Sequence, residues 1–95
     1  MQKQLYPYPA SGEILEKLEA KHRVHWQEVE EVFKGKMRIY RTQSQDQYGE
    51  SRYLGLGRTK AGRYLTIFFV GVAPDQAKVI SARDMDQKER KWFQK

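Results

Sequence analysis

Arginine keeps its proton at any physiological pH, so the chemistry open to it is the stabilisation of negative charge, for example on phosphoryl oxygens. Arg83 ends the β-rich run KVISAR and is followed at once by the helix-like segment DMDQKERKWF. A strand that only had to pack would not need an arginine at its exit. By the alternation of side chains along a strand, Val79, Ser81 and Arg83 share one face, and Lys78, Ile80 and Ala82 the other. In the run 51–59, Arg52, Leu54, Leu56 and Arg58 group against Tyr53, Gly55 and Gly57. A meander would bring these strands together, so Arg52 or Arg58 can converge with Arg83. Taken singly, each arginine reads better as an edge guard or an ion-pair partner of Glu50, Asp84 or Glu89. Taken as a set, a charge-stabilising role is the better reading.

Arginine cannot move protons, and three other residues can. His22 ends the first helical pattern, His25 begins the second, and Glu50 stands two residues before Arg52. His25 reads as a junction residue, while His22 and Glu50 both stay open as proton carriers. Asp84, Asp86 and Glu89 are expected to answer the dipole of the last helix rather than hold a metal. The GLG of 55–57 is no phosphate loop, since it lacks the G-x-x-x-x-G-K-[ST] pattern, and reads as a bulge. Trp26 lies on an apolar helix stripe and is expected in the core. Trp92 and Phe93 are candidates for stacking on bases as well as for packing.

The elements that must position these residues follow from periodicity. YPYPAS at 6–11 reads as an extended arm or edge strand leading to a helix over 12–22 capped by Ser11. Trp26, Val29, Val32 and Phe33 form the apolar stripe of a second helix, ended by Gly35. The period then falls to two: Met37 and Ile39 alternate with Lys36, Arg38 and Tyr40. TQSQDQYG at 42–49 reads as a loop. Two β-rich runs follow, joined through Thr59–Gly62 with Gly62 suited to the left-handed turn position. VAPDQA turns into KVISAR, and Asp84 with Gln87 is expected to cap a final helix carrying Met85, Lys88, Trp92 and Phe93. The fold class predicted is α+β: a small antiparallel meander of three to four strands, flanked by two N-terminal helices and one C-terminal helix.

Length and charge narrow the function classes. The 95 residues, 39% hydrophobic, suit one domain over 1–95 with its own core. With no cysteine, disulfide frameworks, thiolate zinc sites and a cysteine nucleophile are excluded, in keeping with a cytoplasmic location. The longest apolar run, 64–73, is too short to span a bilayer, and the N-terminal residues have no signal-peptide core. Net charge is +6, and residues 49–95 hold ten Lys/Arg against five Asp/Glu. Such clustering favours a polyanion or an acidic protein partner, with a merely solubilising surface as the plain alternative.

KHRVHWQEVEEVF, YGESRYLGLGRTKAGRYLTIFFV and KVISARDMDQKERKWF together resemble the successive blocks of the BrnT family of bacterial ribonuclease toxins, over roughly residues 13–93. The resemblance implies a RelE-like fold, metal-independent RNA cleavage without a cofactor, and neutralisation by a BrnA-like antitoxin, as a homodimer or a toxin–antitoxin hetero-oligomer. Carried onto this chain, the family's Lys-His pair falls on Lys21 and His22, Glu-x-Arg on Glu50 and Arg52, the strand-end arginine on Arg83, and Glu-Arg on Glu89 and Arg90. Catalysis is then expected from His22, Glu50, Arg52 and Arg83, and RNA contacts from Lys21, Arg58, Arg63 and Arg90. The chain departs from the family pattern in two places. Ala10, Ser11, Ile14 and Leu18 stand near the usual Trp-Asp start with its Lys and Asn. Arg23 replaces the glycine after Lys-His, at about 1 kcal/mol if that position is left-handed. The rival class is a non-catalytic basic module that binds nucleic acid or an acidic protein.

Overall fold

The computed structural model describes residues 5–45 and 51–94. Its elements run β1 (Tyr6–Pro7), α1 (Gly12–His22), α2 (Trp26–Lys34), β2 (Arg38–Gln45), β3 (Ser51–Arg58), β4 (Tyr64–Ala73), β5 (Gln76–Asp84) and α3 (Gln87–Gln94). The strands form one sheet in the order β1-β5-β4-β3-β2. Strands β2 to β5 make the expected antiparallel meander, and β3 pairs with β4 from Arg52↔Val70 to Arg58↔Tyr64.

The sheet nevertheless has five strands and is mixed, so the three-to-four-strand, purely antiparallel form of the RelE-like expectation is corrected. The fifth strand is the proline-bearing arm, which lies parallel to β5. The N–H groups of Tyr6 and Tyr8 donate to the carbonyls of Asp75 and Ala77 at 2.8 and 2.7 Å. Pro7 between them faces its missing donor away from the sheet, which is where an edge strand tolerates proline. At the other edge, β2 continues to Gln45 instead of yielding to a loop at 42. The Thr42 hydroxyl donates to the Arg52 carbonyl at 3.0 Å and the Arg41 guanidinium to the Ser51 hydroxyl at 2.6 Å, holding the two strands together past the expected end. Residues 46–49 of the expected loop lie outside the described residues.

The helix ends follow local rules. Ser11 accepts from the Ile14 N–H at 3.3 Å, as an N-cap should. Arg23 closes α1 in the left-handed conformation, φ 52 and ψ 40, with its N–H on the Glu19 carbonyl, while the Val24 N–H reaches the Leu18 carbonyl. Val24 is fully buried, so the apolar residue after the turn offsets the strain at Arg23. Gly62 takes φ 93 in the β3–β4 turn, as expected. At α3 the cap is corrected by two residues: Asp86 and Glu89 form the reciprocal box at 2.8 and 2.9 Å, because β5 runs on through Asp84 and the Met85 N–H still bonds the Tyr64 carbonyl.

The sheet has two unlike faces. On one, α1 and α2 cover a core of Leu18, Val29, Val32, Leu65, Ile67 and Phe69, with Trp26 packed at its margin. Here the glycines of GLG serve close approach and not a bulge. A Cβ on Gly57 would stand 2.6 Å from Val32 Cγ1, one on Gly55 2.6 Å from Met37 Sδ, and the β3–β4 register through them is unbroken. The bulge lies instead in β5, where the register moves from Phe68↔Ser81 to Phe69↔Val79. The inserted residue turns Val79 into the same core as Ala77 and Ala82, which corrects the strict alternation expected along KVISAR. Ile39 is 42% exposed, contrary to its expected half-buried place, since it sits on the edge strand β2. On the second face, α3 covers a smaller cluster of Leu54, Leu56 and Met85 with Tyr64, Phe68, Trp92 and Phe93.

Candidate nucleic-acid interface

The antiparallel register sorts the basic residues by face. Arg38, Leu56, Thr66 and Arg83 follow one another across the four strands, so their side chains share a face, as do Arg52, Val70 and Lys78 in a second row and Arg58 with Tyr64 in a third. This is the face that α3 crosses. Arg52, Arg58 and Arg83 therefore do point to one side. They do not meet: the partners of Arg52 and Arg83 on β4 are Val70 and Thr66, about 13 Å apart along the strand, with β4 itself lying between the two arginines.

Arg83 is held rather than free. Its guanidinium forms a two-pronged pair with Glu89 at 2.8 and 2.8 Å, and one of those nitrogens also donates to the Asp84 carbonyl at 3.1 Å. Glu89 is almost wholly buried and also accepts from the Thr66 hydroxyl at 2.8 Å and from the Asp86 N–H. Burial pushes the Glu89 carboxyl up, but the bonds from Arg83, Asp86 and Thr66 outweigh it and hold the group below its ordinary value. The pair thus pins α3 to β4 and β5. The Arg83 side chain remains 34% exposed, with its guanidinium 5.2 Å from the Phe68 ring centroid.

Arg63 is held more completely. Its Nε and one terminal nitrogen bind Asp84 at 2.7 and 3.2 Å, and the two terminal nitrogens reach the carbonyls of Arg23 and His22 and the Glu28 carboxylate. A guanidinium has five N–H donors, and these contacts occupy all of them. Arg63 joins the end of α1, the start of α2 and the end of β5, which leaves it no donor for a phosphate. The bond to Arg63 is the main cause that lowers the Asp84 carboxyl below its usual range.

The other expected residues are dispersed. His22 is half-buried at the end of α1, where its carbonyl meets Arg63, and its charge acts on Asp84. Asp84 pairs with Leu65, a core residue of the helix-covered side, so His22 and the Arg83 side chain lie on opposite sides of the sheet. Lys21 is exposed on α1. Glu50 lies outside the described residues. The Arg52 Nε is buried and has no hydrogen-bond partner among the described residues.

What the sequence did not single out is Tyr64. Arg58 and Arg90 both stand over its ring, at 4.9 and 4.2 Å from the centroid, and Phe93 meets the ring edge-on at 5.9 Å. Among the described residues neither arginine has a carboxylate partner. The Tyr64 phenol is lowered below its ordinary value by the Gln94 side chain first, and by Arg90 and the charge of Arg58, against an opposing desolvation. Two uncompensated guanidiniums on one aromatic ring make a local excess of positive charge that an anion would relieve. Beside this cluster, Trp92 contacts Tyr40 at 5.9 Å and carries the Lys88 ammonium 5.0 Å from its ring centroid.

The carboxylates that a metal ion would use are engaged elsewhere: Asp84 by Arg63, Asp86 by the cap, Glu89 by Arg83. Among the described residues no group of three or more His, Cys, Asp or Glu is placed to hold a metal ion, and no helix is long and apolar enough to cross a membrane. A family model described as "Ribonuclease toxin, BrnT, of type II toxin-antitoxin system" matches residues 15–89. Among curated proteins none matches the chain.

Proposed function

The chain belongs to the BrnT family of ribonuclease toxins of type II toxin–antitoxin systems, and from that premise we propose that it cuts RNA without a metal ion, by attack of a 2′-hydroxyl on the adjacent phosphorus. The family implies an RNA substrate and an antitoxin protein partner. We take the partner to be BrnA-like and the compartment to be the cytoplasm. The observation that carries the reading is the pair of arginines, Arg58 and Arg90, that have no carboxylate partner among the described residues and gather on Tyr64, on the face that also presents Arg52 and Arg83.

In the proposed reaction the 2′-oxygen bonds to phosphorus as its proton passes to a base, and the bond from phosphorus to the 5′-oxygen breaks as that oxygen takes up a proton. The products are a 2′,3′-cyclic phosphate and a 5′-hydroxyl. Arginines contribute by stabilising charge on the non-bridging oxygens, strongest where they are preorganised. Arg58 and Arg90 hold the backbone in this reading, Arg52 meets the phosphate, and the exposed part of Arg83 borders the same path. Lys21 lies on α1 and serves at most an extended strand. Of the two proton carriers, Glu50 is the one we favour, because it directly precedes the strand of Arg52 and Arg58 in the chain, whereas His22 lies on the opposite side of the sheet.

The test is to incubate RNA with purified, antitoxin-free protein in excess EDTA, with and without ribosomes, and to map the ends. Fragments with 2′,3′-cyclic phosphate and 5′-hydroxyl termini are expected, and Glu50→Gln should flatten the acidic limb of the pH–rate profile, where protonation of the general base stops the reaction. RNA left intact under both conditions would instead favour the non-catalytic binding module.

A further inference from the structure

Between β2 and α3 opens a cavity of about 470 Å³, lined by Tyr40, Arg41, Thr42, Leu54 and Trp92. Its walls differ from the rest of this face. Where Tyr64 is crowded by guanidiniums, the cavity is bounded by two aromatic rings in mutual contact, Tyr40 and Trp92, and by the aliphatic Leu54. Tyr40 is 38% exposed, which leaves part of its ring open to a ligand. Polar groups are few: the Thr42 hydroxyl, and the Lys88 ammonium beside Trp92, while the Arg41 guanidinium turns to Ser51 on the other face of the sheet.

We propose that this cavity receives an unpaired nucleobase of the RNA, stacked on Tyr40 and Trp92, while the arginines of the same face hold the backbone. The inference rests on the ribonuclease reading above and adds a base-binding subsite to it. Three features favour a base over an aliphatic or acidic occupant. The aromatic rings offer π-faces to a flat ring, and base-on-aromatic stacking is the usual means by which single strands are held independently of sequence. The Lys88 ammonium stands beside Trp92 and not among the residues of the floor, as required for a ligand with an apolar plane attached to an anionic backbone. The cavity also adjoins the cationic face directly, since Leu54 and Arg52 stand two residues apart on one face of β3. The Arg38 guanidinium donates to the Trp92 carbonyl at 3.1 Å, which fixes the end of α3 over β2 and keeps the cavity's Trp92 wall in place.

The test uses the intact protein and a non-cleavable single strand, a 2′-O-methyl oligonucleotide, against the same strand carrying one abasic position at each site in turn. One abasic position should weaken binding by roughly tenfold, in line with the contribution of one stacked base. Trp92→Leu and Tyr40→Leu should bring the intact strand down to the affinity of the abasic one and leave the salt slope unchanged. Trp92→Phe, which keeps a π-face, should restore most of the loss; that separates stacking from a purely structural role of Trp92 in α3. Circular dichroism on each variant identifies any that has lost its fold, and Tyr40→Leu, on the exposed edge strand, then decides alone. If intact and abasic strands bind equally while affinity still falls with salt, the base subsite is overturned and the ribonuclease reading survives. If neither strand binds, both are overturned.

Discussion

Arg63 and Arg58 stand five residues apart in the chain, on either side of one turn, and have opposite fates. Arg63 spends every donor on Asp84, Glu28 and two helix-end carbonyls. Arg58 lies over Tyr64 beside Arg90, with no carboxylate among the described residues. The same division separates Arg83 of β5, paired with Glu89, from Arg90, seven residues on in α3. A basic composition therefore contains two populations. One is neutralised and holds elements together; the other leaves a field for a ligand. Where the acids go decides which arginine is which.

The comparison can be broken most severely at Glu89. Glu89→Gln removes the acid from a mostly buried pair and leaves Arg83, Thr66 and the Asp86 N–H poorly matched, so unfolding free energy should fall by about 2–4 kcal/mol in urea melts. The upper end of that range is softened by the partial exposure of Arg83. Adding Arg83→Met should recover part of the loss, since it removes the stranded charge; a fully additive double variant would contradict the pair's role.

Arg63→Met should cost about 2–3 kcal/mol, because it strips charged hydrogen bonds from Asp84 and Glu28 together with two carbonyl contacts. Arg58→Met should change stability by no more than about 0.5 kcal/mol, the usual range for a surface site. RNA affinity should rank the other way. Equal effects of the two substitutions on melting would dissolve the distinction.

Acid sharpens the same contrast more gently. The carboxyls of Glu89 and Asp84 are depressed in the folded protein, so their contribution to stability is present above the unfolded carboxyl range, about pH 4, and is lost as pH falls through the lower folded values. The acid limb of a stability–pH curve should flatten in Glu89→Gln and keep its wild-type shape in Arg58→Met.

Much of this architecture was legible in advance, for reasons that are local. Ser11, Gly35 and Gly62 carry cap and turn signals within a few residues of where they act, and the pairing of 51–58 with 64–70 follows from two alternating runs joined by a short turn. The left-handed site at Arg23 was legible too, through the glycine expected there. What escaped depended on distant partners. The arm's pairing with β5 needs the carbonyls of Asp75 and Ala77, some seventy residues away. Arg63 is held by Asp84 of β5 and Glu28 of α2, 21 and 35 residues away, whereas the Arg83–Glu89 pair is one of the ion pairs the sequence left open. The β5 bulge, which turns Val79 inward, leaves no mark in KVISAR. The site residues Arg52, Arg58 and Arg83 share a face as alternation allows, but alternation says nothing of the strand that separates them. Tyr64 passed for a strand residue because its two cations come from β3 and α3.

The most direct measurement of the central claim is the salt dependence of RNA affinity in wild type and in Arg58→Gln/Arg90→Gln. Phosphate contacts release counterions, so each one lost lowers the slope of log affinity against log salt by roughly one. The double substitution should reduce the slope by about two and weaken binding across RNA sequences, while the same pair of changes at Lys17 and Lys34 on the helices of the other face should leave it unaltered. A slope unchanged by loss of Arg58 and Arg90, or one reduced equally by loss of Lys17 and Lys34, would show that the α3 face is not where RNA lies.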